Sequence, residues 1–265
     1  MAEDLRQDRA LETAAEILAA ARTAGVFAGA GLSAESGLPT FRDSGGLWEG
    51  HRVEDVATPE GFRRDPVLVW RFYAQRQVDQ TRVEPNAGHH ALAAMEDMFD
   101  DFLLITQNVD NLSERAGSRK LVKIHGDLME IWCCRCHWKS VLDRPVSPDS
   151  LRTPDDLPRC PDCGSLARPG VVWFGEMLPP AAIERAISFT AVAEVLLTVG
   201  TSGLVSGGYG FTDYVRSHGG KVIEVNPNDT YLSDQADIQI RSGSATALPA
   251  ILERLQVLRS RAPEV

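Results

Sequence analysis

Cys133-x-x-Cys136 and Cys160-x-x-Cys163 limit what this chain can fold into more than any other feature. Each spacing lets a tight turn aim two sulfurs at one point, and two such pairs complete a tetrahedral Zn2+ shell. Four thiolates leave no open position for water, so the pattern predicts a metal that holds the fold and does no chemistry. All 5 cysteines fall between Cys133 and Cys163, a poor layout for stapling 265 residues by disulfides. One structural zinc in a reducing cytoplasm is the expectation, with Cys134 a bystander between ligands. Around these cysteines Arg135, Lys139, Arg144, Arg152, Arg159 and Arg168 are balanced by Asp143, Asp149, Asp155, Asp156 and Asp162. The segment therefore lacks the basic footprint of a nucleic-acid zinc ribbon.

Charge and composition narrow the partners further. With 43% hydrophobic and 24% charged residues the chain reads as globular, not disordered or fibrous. A formal net charge of −10 opposes binding to a phosphate backbone or an anionic membrane surface, so no direct nucleic acid and no membrane are expected. Met1-Ala2-Glu3-Asp4 is acidic where a secretory signal would be basic. The most apolar stretch, 191–200, is interrupted by Glu194 and falls far short of the roughly 20 residues a bilayer span needs. A cytoplasmic monomer is the expectation.

Apolar periodicity predicts a helix over 5–21, and short buried strands at 25–28, 102–106, 121–125, 195–201 and 222–226. Helices are predicted between several of them, at 87–98 after Pro85-Asn86 and at 181–188 after Pro179-Pro180. Strands alternating with helices argue for an α/β fold: a Rossmann-like, doubly wound, mostly parallel sheet. Residues 1–40, 86–130 and 171–265 are assigned to it. Residues 41–85 read as a helical module or cofactor loop, with a helix capped by Asp65 and opened by Pro66. Residues 131–170 form the zinc-binding module, so the smaller inserted domain combines helices and a zinc ribbon.

Three loops carry candidate chemistry. Gly29-Ala30-Gly31-Leu32-Ser33-Ala34 follows a strand, and its missing side chains would let backbone N–H groups approach a pyrophosphate. The acidic residue that normally follows about 20 positions on stands at the end of the next strand; here that region is Trp48-Glu49-Gly50-His51, with no strand read before it, so a dehydrogenase site is doubtful. Gly200-Thr201-Ser202-Gly203 ends another strand; either glycine loop on its own serves equally as a structural turn. His125 and Gln107-Asn108-Val109-Asp110 end two further strands, where open parallel sheets bind ligands. A histidine taken singly is more often structural, and His51, His89, His90, His137 and His218 keep that reading.

Together, residues 29–42 (through Pro39-Thr40-Phe41-Arg42), Gln107-Asn108-Val109-Asp110, His125-Gly126, the two Cys pairs, Val171-Val172-Trp173-Phe174-Gly175-Glu176 and Gly200-Thr201-Ser202 strongly resemble the sirtuins, in sirtuin order across nearly the whole chain. The resemblance implies an NAD-dependent protein lysine deacylase that releases nicotinamide and moves the acyl group to ADP-ribose. It implies His125 as general base, and Gln107, Asn108 and Asp110 around the nicotinamide, with Phe41 shielding the reactive ribose. Gly29, Ala30, Gly31, Ser33 and Arg42 would line phosphates and ribose; Gly200, Thr201, Ser202 and Asn226 the adenosine side; Ser244 and Ala245 the adenine. The Val172 carbonyl, with Phe174 and Gly175, would receive an acyl-lysine protein as an extended peptide. Tyr73-Ala74-Gln75-Arg76 is similar to the Tyr-x-x-Arg pair of the bacterial and mitochondrial class III members that remove succinyl and malonyl groups, and Ala57 to their small channel residue. ADP-ribosyl transfer, a dehydrogenase, or a non-enzymatic zinc module that senses NAD are the alternatives.

Overall fold

Short apolar runs that end on glycines or polar turns become six strands of one sheet, in the order 238–240, 221–225, 195–199, 23–28, 101–106, 121–123. Every pairing in it is parallel. The computed structural model describes residues 2–39, 47, 48, 50–205 and 209–261. Strand Thr23–Ala28 is buried on both faces: Val26 joins Leu104 and Leu197 on one side, Phe27 joins Leu103 and Ile105 on the other. Helices Ala2–Ala20, Ala87–Met95 and Ser244–Arg261 cover the first face through Leu18, Leu92 and Leu248. Helices Pro180–Thr190 and Phe211–Ser217 cover the second through Phe189 and Phe211. This is the doubly wound α/β arrangement that the alternating pattern implies. Strand order reverses between Thr23–Ala28 and Val195–Val199, the place where such sheets open a crevice at their C-terminal edge.

Several boundaries differ from the sequence expectation for local reasons. The strand expected to reach His125 stops at Lys123 because Gly126, at φ 82°, turns the chain into the next strand. A Cβ there would lie 2.2 Å from the Gly170 carbonyl oxygen, so only glycine allows the crossing. The helix from Ala87 tightens to a 3-10 turn at Glu96–Met98. Helix Ser244–Arg261, not among the helices predicted above, carries Pro249 in its interior.

The smaller domain is built on an antiparallel sheet, Lys139–Val141, Gly126–Cys133 and Ala167–Val171. Helix Pro66–Arg82, capped by Asp65 accepting the Leu68 N–H at 2.9 Å, lays Val69, Trp70 and Tyr73 against Leu128, Ile131, Leu157 and Trp173. The helical segment and the cysteine-bearing segment thus share one core. Gln77, fully buried, joins them by donating to the Leu128 carbonyl at 2.7 Å and accepting the Val146 N–H at 3.0 Å. Trp70 Nε1 adds a bond to the Ala167 carbonyl at 2.9 Å. Among the described residues no helix is long and apolar enough to cross a membrane.

Cys133, Cys136, Cys160 and Cys163 present their sulfurs within 4.8 Å of one another, with Cys133–Cys163 at 3.5 Å and Cys136–Cys160 at 3.6 Å. Tetrahedral sulfurs at Zn–S of about 2.3 Å stand about 3.8 Å apart, so the donor set fits zinc. The Arg135 and Cys136 N–H groups each lie 3.3 Å from the Cys133 sulfur and offset its negative charge. Cys134 lies outside the cluster and is exposed.

Glu96 anchors the start of the Leu121–Lys123 strand. Its fully buried carboxylate accepts the N–H groups of Arg119 at 2.8 Å and Lys120 at 3.0 Å, and the Arg119 guanidinium at 3.1 Å. Burial pushes its pKa up, but these three donors outweigh it and hold the carboxyl below the ordinary value. The depressed pKa means that the stabilisation is present above the unfolded value of about 4.3 and is lost as pH falls through the folded one.

Elemental analysis is expected to find about one zinc per chain. Cys160→Ser should lose the zinc and lower the melting temperature by on the order of 10 °C; a metal-free wild type with an unchanged melt contradicts this. Glu96→Gln should destabilise by about 2 kcal/mol at pH 7. Denaturant titrations should show that difference shrinking between about pH 5 and 3, and a pH-independent difference would refute the charge argument.

Candidate active site

Parallel strands all end on the same edge, so the loops at 29–33, 107–110, 124–126 and 200–203 gather in one crevice. Its floor is the contact between the two glycine loops. The Gly29 N–H donates to the Val199 carbonyl and the Gly31 N–H to the Gly200 carbonyl, both at 2.9 Å. A Cβ on Gly31 would lie 2.7 Å from the Gly200 Cα, and one on Gly29 would lie 2.9 Å from the Thr201 Cα. The glycines are thus required by loop-to-loop approach. The Gly31 N–H is committed to the Gly200 carbonyl.

Polar side chains then bridge the loops. Gln107 Nε2 donates to Thr201 Oγ1 at 2.8 Å, and Asn226 Nδ2 donates to the Thr201 carbonyl at 3.1 Å. Asn108 Nδ2 reaches both the Gly29 carbonyl and Ser33 Oγ at 3.1 Å, and Ser33 Oγ donates to Asp110 Oδ2 at 3.0 Å. Ser202 Oγ accepts the Leu204 N–H at 3.2 Å. The structure therefore brings Gly29, Ala30, Gly31, Ser33, Gln107, Asn108, Asp110, Gly200, Thr201, Ser202 and Asn226 to one site. Phe41 and Arg42 lie outside the described residues. Ser244 and Ala245 face Glu35: the Ser244 hydroxyl donates to its carboxylate at 2.9 Å and the Ala245 N–H at 2.7 Å. This cap ties the last helix to the first loop.

His125 sits half-buried at the crevice edge. Its Nδ1 lies 3.0 Å from the Gln107 carbonyl oxygen. A carbonyl can only accept, so Nδ1 carries the proton and the lone pair of the neutral ring is on Nε2. Burial lowers the His125 pKa below the ordinary imidazole value, partly offset by the Gln107 carbonyl. The ring is therefore neutral at pH 7 and can accept a proton at Nε2.

The other wall comes from the smaller domain. The Val172 N–H donates to the His125 carbonyl at 2.8 Å, and the Phe174 N–H to the Ala57 carbonyl at 3.0 Å. These bonds seat Val172 on the His125 backbone and Phe174 on that of Ala57, with Gly175 next in the chain and Phe174 exposed at 48%. Tyr73 is buried, and its hydroxyl accepts the Trp173 Nε1–H at 3.1 Å, which leaves its own hydrogen to donate. Burial pushes the Tyr73 pKa above its ordinary value while nearby Arg76 opposes that shift, so the phenol stays neutral. Trp173 is held in turn by the Arg168 guanidinium, 3.4 Å from its ring centroid, and Arg168 is clamped by Glu176.

Sequence reasoning missed several members. His89, read as structural, lies 3.4 Å from Ser33 Oγ, and its Nδ1 accepts the Asn86 N–H at 3.3 Å. Burial drops its pKa to about 4, with Asp110 opposing. Lys123 supports the Asp110 loop by donating to the Asp110 carbonyl at 2.6 Å and pairing with Glu114 and Asp127. The helical Asn86–His89 spacing was the only sequence signal for the first of these. Glu35, Lys123 and Arg168 had none, because their partners are distant in the chain.

A family model described as "Sir2 family" matches residues 29–207. An NAD-dependent protein deacylase of Thermococcus kodakarensis is 46% identical over 243 residues, covering 92% of this chain and 95% of that protein. A Sir2 homolog solved as an NAD complex superimposes with a TM-score of 0.86 at 38% identity, covering 93% of this chain and 94% of that one. A Sir2 enzyme solved with a deacetylated p53 peptide and 3'-O-acetyl ADP ribose gives a TM-score of 0.80 at 30% identity, covering 90% and 96%. With its crevice, its imidazole and its four-sulfur cluster arranged as described, the chain belongs to the Sir2 family.

Proposed function

We propose that this protein is an NAD-dependent protein lysine deacylase, with acyl-lysine peptides as substrates and His125 as its general base. The observation that carries the reading is the tautomer: Gln107 binds Nδ1–H, so the basic Nε2 of His125 points into the crevice. NAD, when bound, supplies the ribose carbon and hydroxyls to which the acyl group is transferred. His125 Nε2 takes the proton of the ribose hydroxyl that attacks the acyl carbon. Asn108 and Asp110, cross-braced through Ser33, orient the nicotinamide carboxamide, while Thr201, Ser202 and Asn226 line the adenosine side.

Among the described residues no N–H donates to the Val172 carbonyl, which suits it to receive the acyl-lysine N–H. A peptide would lie extended along residues 172–175, adding a strand. For the acyl group, Tyr73 and Arg76 share one helix face beside Ala57, and Trp173 leaves the Tyr73 hydrogen free to donate. This pair suits a carboxylate-bearing acyl group, succinyl or malonyl, alongside acetyl. Reduced metal-binding thiols fit a reducing cytoplasm.

Replacing His125 with Asn should cut deacylation by about 10^2- to 10^4-fold while NAD still binds, as read by titration calorimetry. Wild-type kcat/KM should be flat above about pH 6.5 and fall tenfold per pH unit below the lowered His125 pKa; turnover independent of pH from 5 to 8 would remove His125 from the base role. Charge-assisted hydrogen bonds to an acyl carboxylate contribute about 1.5–3 kcal/mol, or roughly 10- to 150-fold in kcat/KM. Arg76→Met should therefore lose that factor on succinyl-lysine peptide and leave acetyl-lysine within about twofold. Equal losses on both peptides would overturn the acyl-carboxylate reading.

A further inference from the structure

Tyr209 touches the base directly, and nothing in the sequence pattern singled it out. Its hydroxyl lies 2.7 Å from His125 Nε2. Among the described residues it is the one non-glycine with positive φ, at 59°, a left-handed conformation that an aromatic residue seldom adopts. The ring is placed by aromatic contacts. It meets Phe27 edge-on at 6.3 Å and leans on Phe211 at 5.7 Å, while Phe27 and Phe211 meet each other at 5.1 Å. Phe27 is a buried residue of the central strand, so the scaffold delivers the phenol to the crevice edge.

The hydrogen-bond count at the imidazole decides what this contact does. Nδ1–H is given to the Gln107 carbonyl, so Nε2 has a single in-plane lone pair. Tyr209 donates to that lone pair. A ribose hydroxyl that is to lose its proton to His125 must use the same lone pair, so the two donors exclude each other.

The geometry points to Tyr209 as a positioning residue for the base: it holds the unliganded imidazole neutral with Nε2 turned into the crevice, and yields that nitrogen to the ribose hydroxyl of the co-substrate. The inference rests on the reading of His125 as general base. In the proton transfer, the ribose O–H breaks and an Nε2–H bond forms, giving imidazolium, while Tyr209 keeps its own proton. NAD entry must therefore displace a half-buried hydrogen bond, which weakens apparent affinity without slowing the later chemistry.

Tyr209→Phe keeps the ring and its packing and deletes only the donor. At pH 8 with saturating acyl-peptide, kcat/KM for NAD should rise about three- to tenfold, the range expected for one neutral hydrogen bond. The gain should appear in KM and not in kcat. The acid-limb pKa of kcat/KM, which reports the free enzyme, should move up toward the ordinary imidazole value. Thermal melting and NAD-free histidine NMR of the same variant check that the fold and the Nδ1–H tautomer persist. A tenfold or greater fall in kcat would make the hydroxyl part of the proton path and overturn the proposal, as would a kcat/KM and pKa identical to wild type. His125→Asn separates the two readings: full turnover there removes the base itself, whereas an inactive His125→Asn with an unaltered Tyr209→Phe removes only the assignment to Tyr209.

Discussion

A carbonyl oxygen accepts hydrogen bonds and never gives them, and the chemistry of this site depends on that asymmetry at Gln107. The bond from Nδ1 at 3.0 Å fixes which nitrogen of His125 carries the proton and which way the other one faces. Gln107 can do this because its own N–H is anchored on the Ala28 carbonyl and its side chain on Thr201. Three strand ends, at residues 28, 106 and 199, are thereby locked to one another before any ligand arrives. The imidazole is preorganised by backbone, which is stiffer than a side-chain partner would be.

The second wall of the crevice depends on a different kind of constraint. Gly126 lets the chain leave the large sheet and enter the small one immediately after His125, so the crevice edge and the smaller domain are covalently adjacent. The Val172–His125 and Phe174–Ala57 backbone bonds then return the chain to the same spot. The four-sulfur cluster lies at the far end of strand Gly126–Cys133. It can hold the strand in place from there without touching the reacting groups, as expected for a closed thiolate shell.

Much of this was legible in the amino-acid order because the signals are local. Doubly buried strands read as apolar runs, Asp65-Pro66 marks a helix start, and the Cys spacings announce a ligand set. The shared core of the smaller domain was not legible. It hangs on Gln77 and Trp70 bonding to carbonyls far along the chain, and a buried glutamine leaves no periodic trace. Helix Ser244–Arg261 has an interior proline, Pro249, and its cap, Glu35, lies more than two hundred positions away, so no local start signal marks it. His89 keeps the structural reading, capping its own helix at Asn86, and packing also brings it to Ser33. Tyr209 was invisible for a similar reason: its position depends on a left-handed backbone and on aromatic neighbours from another strand.

The glycine loops have a packing role that their sequence alone does not reveal. Their sequence suggested room for phosphate; the structure shows that their small size serves the approach of residues 29–31 to residues 200–201. The central claim is that this crevice transfers an acyl group from lysine to the ribose of NAD. Mass spectrometry of an acyl-lysine peptide incubated with the protein and NAD tests it most directly. The account predicts a peptide lighter by one acyl group, with nicotinamide and acyl-ADP-ribose formed in equal amounts. A peptide that gains ADP-ribose, or nicotinamide released at the same rate without peptide, would contradict it.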